Sequence, residues 1–223
     1  MLSLIHMITA FSIGSALSQA WKTANANRML LIKVVLTIGA LQIGSSIFNV
    51  KHVQTSTDVV IVLVGLVFSV LSAICTVGLL AISIKLVRAQ KAAYEDIIPN
   101  WHVVWRFALV SIVSGVFIIL GLVLLIIPGF YLMLRLSMAK MAVIENKHLK
   151  IFDALHQSTL MTHGVKWELL GLFLVLILIN ILGAIPLGLG LLITIPVSLL
   201  AVSHVYVILE RRTHRPEASA EVA

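Results

Sequence analysis

Charged residues are scarce in this sequence. Asp, Glu, Lys and Arg make up 11% of its 223 residues, against roughly a quarter in an ordinary soluble domain. Apolar residues make up 60% of the chain, and the mean hydropathy is +1.10. A soluble protein of 24.3 kDa needs a mixed or polar exterior. The composition therefore excludes a soluble globular fold and predicts an apolar surface that faces lipid.

Cysteine is nearly absent, since Cys75 is the single one. This count excludes an intrachain disulfide and a cysteine-based metal cluster. His148, His156 and His163 are spaced by eight and seven residues, whereas zinc-binding pairs on a helix usually lie four residues apart. We therefore predict no metal site and no cofactor.

Signatures of catalysis and of nucleic-acid binding are also missing. The chain has no Gly-x-Ser-x-Gly elbow, no phosphate-binding glycine-rich loop and no pair of aspartates within an apolar run. Its basic residues lie between long apolar runs, without the interleaved aromatic residues that stack on bases. We predict a protein that is not an enzyme, has no catalytic residue and does not bind nucleic acid.

Long apolar runs dominate the chain instead. A helix of roughly 20 residues crosses a hydrocarbon core of about 30 Å, and six runs approach that length. The fourth run is short and polar, because it contains Arg135 and Lys140. The predicted spans cover about residues 29–48, 59–86, 103–127, 129–145, 167–182 and 187–209.

Proline and glycine residues mark the predicted turns. Pro128 and Gly129 predict a tight hairpin between the third and fourth spans, and Pro186 marks the turn between the fifth and sixth. Pro196 predicts a helix break within the sixth span, as a kink or as the discontinuity found in transporter sites.

Basic residues predict the orientation of the spans. The loops on one side of the predicted bundle hold only Lys51. The opposite side holds Lys22, Arg28, Lys85, Arg88, Lys91, Lys147, Lys150, Arg211, Arg212 and Arg215. By the positive-inside rule, both termini are predicted to lie in the cytoplasm.

Two amphipathic helices are predicted at the cytoplasmic interface. The first covers about residues 10–27, with Trp21 at headgroup level; a signal peptide is the alternative, but no basic residue precedes Lys22. The second covers about residues 150–163. Residues 13–19 (IGSALSQ) and 151–157 (IFDALHQ) match at a shift of 138. This match predicts a parallel repeat within a single all-α membrane domain, residues 1–223, of six spans and two interfacial helices.

Arg135 is the strongest candidate for a functional residue. An ionisable side chain within a span costs about 2.5–3.5 kcal/mol and is usually compensated. Asp58 and Asn180 are predicted neighbours at similar depth. Arg135 could bind an anion or gate a substrate, or it could be structural and pair with Asp58 or extend to the interface. His204 could relay protons or form a hydrogen bond within the bundle.

Small residues recur every four positions at Gly65, Ser69 and Ala73. Such a pattern allows helices to approach closely. The small-residue pattern serves either packing within one bundle or contact between two copies of the chain. A homo-oligomer and a complex with another membrane protein are therefore both open alternatives.

Residues 126–183 resemble one known group of proteins. The pattern consists of Ile127, Pro128, Gly129, Arg135, Ala139, Glu145, residues 151–155 (IFDAL), Ser158, Thr162, Trp167, Leu169, Leu170, Gly171 and Gly183. It is similar to the YciC-like family of uncharacterised bacterial inner-membrane proteins, and to membrane domains attached to some glycerophosphodiester phosphodiesterases. The resemblance implies a six-span inner-membrane protein. It implies no catalytic residues, because it covers only the membrane part of those fusions.

These observations predict an integral membrane protein with a role in membrane or envelope homeostasis. It would act by binding lipid, a small molecule or a partner protein through its interfacial helices. The alternative is a small-molecule or lipid transporter or export permease, with Arg135, Asn180 and Pro196 along its pathway. An ion-coupled transporter usually carries a buried carboxylate, and no acidic residue lies well inside a predicted span.

Overall fold

The computed structural model describes residues 11–48, 56–146, 149–185 and 188–220, and these contain helices and short connections but no strand. A 3₁₀ turn, Tyr94–Ile97, precedes the fourth helix. The helices are α1 (Ile13–Ala26), α2 (Arg28–Phe48), α3 (Ser56–Val87), α4 (Trp101–Leu124), α5 (Ile126–Arg135), α6 (Ala139–Glu145), α7 (Ile151–Met161), α8 (Lys166–Ala184) and α9 (Leu191–Ala220).

Five helical segments within the described residues are long and apolar enough to cross a membrane. They are Arg28–Phe48, Val59–Val87, Tyr94–Leu124, Lys166–Ala184 and Leu191–Thr213. Their outer faces expose large apolar side chains, such as Ile47, Val123 and Leu178. Such a surface is costly in water and suits lipid. The all-α prediction is confirmed, and the structure is compatible with a multi-pass membrane protein.

The prediction of one continuous fourth span at 129–145 is wrong. The chain forms two short helices here, α5 and α6, separated by residues 136–138. Five of the seven residues of α6 are buried, so this helix belongs to the core of the bundle. Among the described residues, the predicted fourth span at 129–145 is therefore not a single membrane-crossing helix.

The hairpin before α5 turns earlier than predicted. Leu125 adopts an extended conformation between α4 and α5, and Pro128 and Gly129 lie in the first turns of α5. Proline is tolerated there because the first N–H groups of a helix have no intrahelical acceptor. A Cβ on Gly129 would lie 2.5 Å from the Leu122 side chain, so Gly129 is needed for close packing against α4 and not for the turn.

α9 continues through Pro196, so the discontinuity predicted there as one alternative is not present, and a kink at this residue stays a prediction. Pro196 is the sixth residue of α9 and removes only one backbone donor. The buried residues that follow, Val197, Leu200 and Ala201, hold the helix in place. Pro186 lies outside the described residues. The nearby turn uses Gly188, whose φ is +77°, a conformation that favours glycine.

The two matched segments occupy equivalent places in the structure. Ile13 and Ile151 are the first residues of α1 and α7, and the matched Ala16 and Ala154 are both buried. The same shift of 138 carries Arg28, the first residue of α2, onto Lys166, the first residue of α8. Each short amphipathic helix is therefore followed by a long apolar helix that begins with a cation.

Helix packing is close where glycine permits it. A Cβ on Gly65 of α3 would lie 3.1 Å from the carbonyl oxygen of Phe48, and one on Gly44 of α2 would lie 2.9 Å from the Phe68 ring. Gly65 therefore serves packing between α2 and α3 of one chain. Among the short helices, α1 packs mainly against the long helix α9, and α7 packs against the short helix α6 and the long helix α4.

Candidate functional site

Arg135 lies at the break between α5 and α6, where a helix end leaves carbonyl groups without helical donors. Its carbonyl oxygen accepts hydrogen bonds from Ser158 Oγ at 2.8 Å and Thr162 Oγ1 at 3.3 Å. Ser158 Oγ also accepts the N–H of Met138 at 3.2 Å. Ser158 and Thr162 are fully buried on α7. The hydroxyl groups of α7 thus replace the hydrogen bonds that the interrupted helix loses.

The Arg135 side chain and a second cation lie on one face of α5. Arg135 Nε donates to Thr159 Oγ1 at 3.0 Å. Tyr131 precedes Arg135 by one helical turn and therefore shares its face. Lys166 Nζ donates to the Tyr131 hydroxyl at 2.6 Å and lies 3.9 Å from the centre of its ring. We call Arg135 and Lys166 the cation pair; each donates to an uncharged hydroxyl group.

Exposed aromatic residues lie close in sequence to the cation pair. Trp167 follows Lys166 and is 84% exposed, and Phe130 and Tyr131 on α5 are also exposed. Aromatic residues of this kind are enriched at membrane interfaces, where their rings contact both apolar and polar groups. Cations, hydroxyl groups and aromatic rings together suit a ligand that carries an anionic head on an apolar body.

The other predicted residues lie elsewhere in the bundle. Asn180 Nδ2 donates to Ser198 Oγ at 2.7 Å and so joins α8 to α9. His204 Nε2 lies 3.4 Å from Thr23 Oγ1 and joins α9 to α1, in agreement with the structural interpretation of this histidine. The side chain of Asp58 lies outside the described residues. These hydrogen bonds do not bring Arg135, Asn180 and His204 together, and the transport pathway stays a prediction.

A charged cluster at Arg88 was not predicted. Its guanidinium Nη2 pairs with carboxylate oxygens of both Glu145 and Glu210, which joins the ends of α3 and α6 to α9. Burial alone would lower the pKa of Arg88, but the hydrogen bonds and charges of the two carboxylates raise it above its ordinary value. In the sequence, the only indication of this cluster is that Arg88, Glu145 and Glu210 each follow a long apolar run.

No cluster of three or more His, Cys, Asp or Glu residues within the described ranges could hold a metal ion. His148 is outside those ranges. His156 is the middle residue of α7, and His163 lies two residues past the end of this helix.

The chain matches none of the family models, curated proteins or solved structures with which it was compared. The resemblance to the YciC-like family therefore stays a prediction. The function has to be argued from the chemistry of the residues themselves.

Proposed function

We propose that this protein is a multi-pass inner-membrane protein without enzymatic activity, which binds anionic phospholipid at the cation pair. The observation that supports this proposal is the position of Arg135 and Lys166, which donate hydrogen bonds to the neutral side chains of Thr159 and Tyr131. A phosphate group would supply the opposite charge. Lipid binding of this kind serves a role in membrane homeostasis.

The side chains at this face match the parts of a phospholipid. A guanidinium group donates two parallel hydrogen bonds to phosphate oxygens, and an ammonium group adds a point charge. The hydroxyl groups of Tyr131 and Thr159 can donate to phosphate or glycerol oxygens. Trp167 and Phe130 are exposed beside them and can contact the upper part of the acyl chains.

Replacing both cations, Arg135→Gln with Lys166→Gln, should remove the preference for anionic lipid at this site. Each cation near an anionic headgroup contributes about 1 kcal/mol, so the double variant should lose roughly 30-fold in preference. Native mass spectrometry of protein released from membranes of equal phosphatidylglycerol and phosphatidylcholine would measure the ratio of the two bound lipids.

The matched control is Lys33→Gln with Arg211→Gln, which removes two exposed cations far along the sequence from α5. It should leave the ratio of bound lipids unchanged. An equal ratio in both double variants would contradict a lipid site at the cation pair, even if the total amount of bound lipid fell.

We also propose that both termini lie in the cytoplasm. The distribution of Lys and Arg between the loops supports this orientation. With five long helices, it requires α5 and α6 together to return the chain across the membrane, and the pairing of Glu145, at the end of α6, with Arg88, which follows α3, supports such a return. The family resemblance supports an inner membrane. After Cys75, which is buried, is replaced by serine, a membrane-impermeant thiol reagent should label Thr55→Cys in intact cells lacking an outer barrier. Lys91→Cys should be labelled only after lysis, and the reverse pattern would overturn the orientation.

A further inference from the structure

A second face of the protein has the form of a lipid site, and it lies where α1 meets α2 and α9. An apolar cavity of about 230 Å³ opens there between Trp21 and Ala24 of α1, Ile32 of α2 and Pro196 of α9. Arg28 is the only charged residue in its lining. The cavity is therefore an apolar groove with one cation at its edge.

A second apolar cavity adjoins the first. It has a volume of about 330 Å³ and lies among Leu17 of α1, Ile179 of α8 and Val197 of α9. Ser18 and Thr194 are polar residues in its lining. Because Trp21 and Ile193 line both cavities, the two cavities are neighbouring grooves that share these side chains.

A polar cleft adjoins the first groove at the corner between α1 and α2. Asn25 and Arg28 line both the cleft and the groove. The cleft also includes Met29 and Leu30, and the first backbone N–H groups of α2 have no acceptor within the helix. N–H groups at a helix start, together with a guanidinium group, favour an anion.

We infer that this face binds one anionic phospholipid, with its phosphate in the cleft at Arg28 and its two acyl chains in the two grooves that share Trp21. Charge and shape support the same occupant, because Arg28 is the only charged residue in the lining of the first groove and lies at the end where the headgroup would lie. The inference does not depend on the proposed function, because it uses none of the residues of the cation pair.

Filling the first groove tests this inference. In Ala24→Phe the added ring occupies the space of one acyl chain, so the variant should retain one phosphatidylglycerol molecule fewer than the natural protein in native mass spectra. The control is Ala40→Phe, the same change at an exposed position of α2, which should retain the natural number. An unchanged number in Ala24→Phe would overturn the inference.

Arg28→Gln provides a second test that does not fill the groove. This variant should still retain a lipid, but it should accept phosphatidylcholine as readily as phosphatidylglycerol. Retained selectivity for phosphatidylglycerol at this site would overturn the role of Arg28, whether or not Ala24→Phe folds. Combining Ala24→Phe with the double variant of the cation pair should remove two lipid molecules. A loss of only one would mean that one of the two sites is absent, and comparison with the separate variants would show which.

Discussion

Replacing Arg88 with methionine should destabilise the folded protein by about 3 kcal/mol. Removing one partner of a buried ion pair costs about 3–5 kcal/mol because the other charge stays buried. Here the carboxylates of Glu145 and Glu210 would both lose the guanidinium group that pairs with them. The lower end of the range applies because the side chains are 27%, 21% and 16% exposed. The midpoint of thermal unfolding in detergent should fall by roughly 6–12 °C.

Two further variants separate the charge effect from the loss of packing. Arg88→Met combined with Glu145→Gln and Glu210→Gln leaves no buried charge in the cluster, so it should recover most of the stability. Arg212→Met removes an exposed cation and should change the midpoint by little. Equal destabilisation by the single and triple variants would show that packing of the Arg88 side chain, and not its charge, joins the three helices.

Composition and hydropathy are sufficient to predict the long helices. In lipid, the backbone N–H and C=O groups of an apolar run such as residues 59–86 need hydrogen-bond partners within the run itself, and a helix supplies them. The same information fails at 129–145. The break after Arg135 depends on Ser158 and Thr162, which lie more than 20 positions later in the sequence. A hydropathy pattern reports no such distant hydrogen bond, so it predicts a single span there.

The candidate site was only partly predictable. Arg135 stands out in the sequence because a cation in an apolar segment needs compensation, but the neighbours predicted for it are Asp58 and Asn180. The structure gives it Thr159 instead and brings Lys166 to the same face. The partner differs because the predicted depth of Arg135 assumes a continuous fourth span. Once α5 ends at Arg135, its side chain contacts α7.

The internal repeat was the sequence signal that predicted most about the arrangement of the short and long helices. Four matched residues in two segments of seven indicate that α1 and α7 are equivalent. The structure extends this equivalence to Arg28 and Lys166, although these two residues are of different types. Their equivalence is visible only from their position at the start of the following helix. The repeated unit is a short amphipathic helix followed by a long apolar helix that begins with a cation.

Replacing Gly78 with alanine should destabilise the protein by about as much as the loss of Arg88. The 3₁₀ turn Tyr94–Ile97 lies directly on α3 at this glycine, and a Cβ there would be 2.0 Å from the Ile97 carbonyl oxygen. Backbone atoms cannot rotate away as a side chain can. The turn is also fixed by Lys85, which donates to Asp96 at 2.6 Å, and by Thr37, whose Oγ1 is 2.7 Å from the Tyr94 hydroxyl.

Accommodating the methyl group therefore requires the whole turn to move. Overpacking of this kind costs typically 1–3 kcal/mol and occasionally more, and we expect about 3 kcal/mol in thermal unfolding. Gly115→Ala is the matched control, because a Cβ on this helical glycine has open space around it. It should leave stability unchanged or raise it by up to about 1 kcal/mol, the helix preference of alanine. Similar midpoints of thermal unfolding for Gly78→Ala and Gly115→Ala would contradict close packing of the turn on α3. The comparison is informative because backbone atoms of Ile97 lie against a Cβ at Gly78, whereas a Cβ at Gly115 has open space around it.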